Sequence, residues 1–264
     1  MSDITSIESL VKRDRLITAV ALAAITLLCW IYLVVLSADM GGPMGDMTSV
    51  ASMDAGRAWS GTEFALMFVM WAVMMVAMML PSAAPMILLF AAIARRNRAQ
   101  GHVMAPTGVF AAGYLAAWTG FSLAATGLQW GFDALALLSP MMASTSAVLS
   151  GAILVAAGLY QWTPLKHACL AHCRSPLFFL GHHWRKGNGG AFVMGVHHGF
   201  YCVGCCWVVM ALLFVGGVMN LLLIAAIALV VLIEKIALRG DLIGRIGGGV
   251  LVLLGLYFVF DAAV

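Results

Sequence analysis

Charge is scarce in this chain. Only 9% of its 264 residues are Asp, Glu, Lys or Arg, against about 25% in an average soluble domain. With 63% of the residues hydrophobic and a mean hydropathy of +1.03, too few polar groups remain to clothe a water-exposed surface, which excludes a soluble globular fold. The same numbers exclude intrinsic disorder, and six cysteines in a chain of this length exclude a secreted disulfide scaffold. The net charge of +3 is small and scattered, so no nucleic acid is expected as a partner. The chain also lacks a phosphate-binding loop, a dinucleotide fingerprint and an HExxH zinc motif. ATP-driven pumping by this chain alone is thereby disfavoured. It has no internal repeat of the kind found in many secondary transporters.

What is present is a long series of apolar runs. A spanning helix needs about 20 mostly apolar residues, and seven segments qualify: 16–36, 64–94, 106–130, 146–162, 191–215, 218–236 and 243–260. Pro81 and Pro85 interrupt the second and are expected to loosen its inner half. The apolar stretch 131–142 is too short and reads as an interfacial piece. All but one of the 14 cations fall in alternate connections, Arg57 being the exception. By the positive-inside rule the N-terminus is cytoplasmic and the C-terminus external. The expected architecture is all-α: a cytoplasmic tail (1–15) and one polytopic bundle (16–264) of about seven spans, with a cytoplasmic Cys/His loop at 163–190. Gly244, Gly248 and the run 247–249 suit close helix packing.

Eighteen Met, six Cys and seven His form an unusual load of soft and imidazole ligands. On the fifth span, helical geometry places Met194, His198, Cys202 and Cys205 within about 40° of one line, with Cys206 near 80° and His197 off the stripe. Thiolate and thioether suit Cu(I), and imidazole suits copper or zinc. An ionisable residue at membrane depth needs a partner or a purpose. In the 163–190 segment, Cys169, His172 and Cys173 share one face if helical; His167, His182 and His183 flank them. On the second span Met67, Met74 and Met78 fall within about 40°, Met70 stands about 60° to one side, and Met75 and Met79 form an adjacent row. Met40, Met44, Met47 and Met53 precede it. At 1.5 Å per residue, Met74–Met79 lie about 15–22 Å in from the outer face and Cys205 about 21 Å in from the cytoplasmic face, so the two groups overlap near mid-depth of a core of about 30 Å. A soft-ligand path from the outer methionines through the Met row to the thiols follows.

The strings MWAVMMVAMMLPSAAPM, GLYQWTPLKHACLAHCRSP and GGAFVMGVHHGFYCVGCCWVVMALLFVGGVMN, followed by IEK, resemble a bacterial family of metal-binding integral membrane proteins. That family includes members regarded as membrane copper chaperones for copper oxidases of the tyrosinase type. The resemblance covers residues 64–235. Lys166, Cys169, Cys173, His198, Cys202, Cys205, Cys206, Asn220, Glu234 and Lys235 match its pattern, whereas His197 departs from it.

The resulting expectation is a multi-pass protein of the bacterial inner membrane that handles copper, favouring Cu(I) with zinc as the other candidate. It would deliver copper to a copper-dependent enzyme or a soluble metal carrier, or move it across the membrane. Beyond lipid, a larger membrane complex is a possible setting. The alternatives are a membrane thiol oxidoreductase using Cys202, Cys205 or the Cys169/Cys173 pair, and a structural subunit with incidental thiols.

Overall fold

The computed structural model describes residues 2–41, 59–101, 103–139, 142–237 and 239–261. The expected Met44, Met47, Met53 and Arg57, and the side chain of Met40, lie outside the described residues. The fold is all-α: α1 (Ser2–Gly41), α2 (Gly61–Ala99), α3 (Thr107–Ala134), α4 (Ala147–Tyr160), α5 (Pro164–Arg174), α6 (Pro176–His183), α7 (Gly187–Met210), α8 (Leu213–Gly216), α9 (Leu221–Ile236) and α10 (Gly240–Asp261). Among the described residues the one extended pairing is an isolated bridge between Leu138, in the stretch read as interfacial, and Ser144 just beyond it.

Local chemistry sets the helix starts. Ser60 and Glu63 form a reciprocal capping box at α2. Ser146 caps α4, and Thr163 caps α5 ahead of Pro164. Asn220 caps α9, its side chain accepting from the Leu223 N–H at 3.2 Å. Asn220 is thus a helix-start residue on an exposed edge, which accounts for its place in the sequence pattern without a metal.

All seven apolar segments form helices. Five are long and apolar enough to cross a membrane: residues 15–38 of α1, then α2, α3, α7 continued through α8, and α10. The α4 and α5 helices pass as a sixth when taken together, although they bend by 63° at their junction. Standing alone, α4 has 14 residues and α9 has 16, about 21 and 24 Å against a bilayer core of about 30 Å. Contrary to expectation, α2 is continuous: Pro81 and Pro85 sit inside one 39-residue helix. The segment 163–190 is also not an open loop but α5 and α6 folded back, with α5 lying on α7.

The core centres on α2, which packs against α1, α3 and α9, while α3 packs on α7 and α4 on α10. α1 is peripheral, with Leu33 its buried large side chain. The small-residue expectation for α10 holds in part. Gly248 faces the Gly158 carbonyl of α4, and Gly244 lies against the Glu234 carboxylate, whereas Gly247 faces open space.

Candidate metal centre

The centre is built on α7, which the sequence brings unusually close to α3. A Cβ at Gly195 would land on the Phe110 carbonyl oxygen, and one at Gly113 on that of Phe192. Only glycine permits two backbones to approach so closely. This contact presents the α7 face to Tyr114. Met194, His198, Cys202, Cys205 and Cys206 are all buried, as the spacing predicts.

Cys202 is the focus. Its Sγ lies 2.9 Å from Lys235 Nζ of α9 and 3.1 Å from the Tyr114 hydroxyl of α3. Lys235 also donates to Ser82 Oγ of α2 at 2.9 Å, so three helices meet at one sulfur and a fourth reaches it through Lys235. The Cys205 and Cys206 thiols each donate to the Cys202 carbonyl at 3.0 Å. Cys206 Sγ stands 4.0 Å from Met79 Sδ. From α5, Cys173 reaches the Cys202 and Cys205 side chains, and a Cβ at Gly204 would stand 2.7 Å from Cys169 Sγ. The two cysteine-bearing segments, about 30 residues apart, thus converge in space. Among the described residues no three His, Cys, Asp or Glu side chains already stand at metal-binding spacing. Of these thiols, Cys205 and Cys206 direct their hydrogens to the one Cys202 carbonyl.

His198 is packed among Tyr114, Phe179 and Phe110, at ring distances of 5.6, 5.4 and 6.3 Å. It is 2% exposed, and its Nδ1 has no hydrogen-bond partner. An orphaned nitrogen beside the thiol cluster suits a ligand, since buried polar atoms are otherwise paired. Two expected ligands have further contacts. Met194 Sδ accepts the Arg185 N–H at 3.1 Å. His172 lies flat on Tyr201 at 4.2 Å and bonds through Nδ1 to the Ala168 carbonyl. His197 borders His183 at 6.2 Å.

Met67, Met70, Met74 and Met78 are buried along α2, as are Met75 and Met79. The end of the row away from the thiols holds residues that sequence reading missed. Gln129 Nε2 donates to Met67 Sδ at 3.7 Å and to Met142 Sδ at 3.2 Å, and its Oε1 accepts from Trp71 at 2.6 Å. The available signal was a glutamine inside an apolar span. Tyr114 and Ser82 carried no comparable signal, because their role depends on helix pairing.

The α9 charges point in different directions. Lys166 Nζ is bonded to both Glu234 oxygens at 2.7 and 2.9 Å and to Gln161 Oε1, all three residues being buried. Glu234 therefore serves α5, leaving Lys235 to the sulfur of Cys202.

As a donor set, thiols and a thioether beside one imidazole match a soft ion better than Mg²⁺ or Ca²⁺. Comparison with known proteins agrees. No curated protein and no solved structure matches the chain. A family model, PpoB2, described as a copper chaperone, matches residues 68–258, from α2 into α10 and including the whole thiol cluster. With most of its length matched, and with the cysteines of α5 and α7 brought together, the chain belongs to the PpoB2 copper chaperone family.

Proposed function

We propose that the protein is a multi-pass membrane copper chaperone that holds Cu(I) between thiolates of the α5–α7 cluster and hands it to a copper-dependent enzyme. The observation that carries this is the buried face of Cys202, Cys205 and Cys206 beside Met79, with α5 packed on it so that Cys169 lies against Gly204 and half-buried Cys173 stands near Cys202 and Cys205. Sulfur donors in dry surroundings favour Cu(I) over a hydrated divalent ion. His198, with its free Nδ1, supplies a further ligand. Elemental analysis of detergent-purified protein tests the reading. Wild type purified under reducing conditions should carry copper, and Cys202→Ser/Cys205→Ser should lose it. Tight zinc binding with no Cu(I) affinity in the wild type would overturn the assignment.

All seven apolar segments cross the membrane in this reading, α4 with its bent continuation and α9 with the turn before it. The asymmetry of the cations supports a cytoplasmic N-terminus and an external C-terminus. The Met row then runs inward from the external face, and its neutral thioethers bind each ion weakly, as onward transfer requires. Met and Leu are close in volume, so Met70→Leu/Met74→Leu/Met78→Leu should cost under about 1.5 kcal/mol per site and leave the bound-copper stoichiometry unchanged. In right-side-out vesicles supplied with Cu(I) outside, the triple variant should load slowly. In inside-out vesicles it should load at the wild-type rate. The reverse pattern would invert the topology, and wild-type rates in both would reduce the row to packing.

A further inference from the structure

Lys235 is the one group at the cluster whose charge the rest of the site leaves unmatched. Its ammonium is buried, with Cys202 Sγ and Ser82 Oγ as recorded partners at 2.9 Å each. The titratable side chains that interact with it include Cys202, Cys205, Cys206, Tyr114, Cys173 and His198, and among the described residues no carboxylate is ion-paired with it. The neighbouring cation, Lys166, is cancelled by Glu234 at 2.7 Å, and that pair adds no net charge. The cluster's fixed charge is therefore a single positive one, set against Cys202.

Resting on the copper reading above, we propose that Lys235 is the specificity-determining residue that makes this site choose a monovalent soft cation over a divalent one. Two thiolates around Cu(I) carry a net charge of −1, and the Lys235 ammonium brings the assembly to zero. The same two thiolates around Zn(II) are already neutral, and Lys235 then leaves an uncompensated positive charge. Uncompensated charge in apolar surroundings is expensive. Lysine thus stabilises the copper-loaded state and penalises the zinc-loaded one at the same atoms. It acts through Cys202 and needs no contact with the ion.

The test uses full-length protein in detergent under anaerobic, reducing conditions. Cu(I) affinity is read by competition with bicinchoninate, and Zn(II) affinity with a chromophoric zinc indicator. Lys235→Met should weaken Cu(I) and strengthen Zn(II), each by about 100-fold, the scale of one unit charge a few ångströms away. Lys235→Arg keeps the charge and should keep the wild-type order. Lys235→Gln retains a hydrogen-bonding group for Ser82 and carries the same expectation as Met, so the result does not hang on one variant folding. A purely structural lysine would lower both affinities together. That outcome, or an unchanged Cu(I)-to-Zn(II) ratio, overturns the inference while leaving the chaperone reading intact. A wild type without measurable Cu(I) affinity overturns both.

Discussion

Glu234→Gln should destabilise the protein by about 3–5 kcal/mol, the range for removing one partner of a buried ion pair. Lys166 is 1% exposed and is held by both Glu234 oxygens and Gln161. With an amide in place of the carboxylate, its ammonium stays buried without a counter-charge. Water cannot easily relieve it, because Gly244 of α10 closes over the carboxylate. The damage spreads beyond the pair, since Lys166 anchors α5 and hence Cys169 and Cys173. Thermal or denaturant unfolding in detergent measures the loss. Lys166→Met/Glu234→Leu should recover most of it, because two apolar groups of similar size remove the stranded charge. A loss below about 1 kcal/mol for Glu234→Gln would class the pair with solvent-screened surface bridges.

Gly195→Ala should have a comparable effect by a different route. The added methyl meets backbone, the Phe110 carbonyl, with the Tyr114 N–H also near at 2.9 Å. Overpacking against side chains costs about 1–3 kcal/mol; here no rotamer change gives relief, and about 3 kcal/mol or more is expected. α3 and α7 must separate, which draws Tyr114 from Cys202, so copper affinity should fall along with stability. Gly120→Ala on α3 is the control. Its methyl meets open space, and stability should hold or rise by up to about 1 kcal/mol. If Gly195→Ala melted with the wild type and bound copper equally, close approach of these helices would not be what positions the centre.

The helices were legible in the sequence because a long apolar run is what a helix able to cross lipid requires, independent of its neighbours. The α7 stripe was legible for a similar reason: 100° per residue is fixed, and Met194, His198, Cys202, Cys205 and Cys206 are indeed all buried. Periodicity reports a face and not what the face meets. It could not show that Met194 is taken by the Arg185 N–H, or that His172 turns to Tyr201 while Cys173 turns to Cys202 and Cys205. Tyr114 and Ser82 reach the centre from α3 and α2 only through helix pairing. Pro81 and Pro85 misled for a related reason. A proline removes one N–H, but the helix runs on through both positions, packed against α1, α3 and α9.

The buried methionine row also bears on pace. Each thioether sits on an unbranched chain with three rotatable bonds, so a sulfur can be re-aimed by side-chain rotation while the helix that carries it stands still. Rotamer hops are among the fastest protein motions, whereas rocking of whole helices belongs to microseconds and longer. A cargo passed from Met67 towards Met79 would keep time with the former. In such a device the scaffold is the stator, and the slow event is left to the moment when a partner must dock.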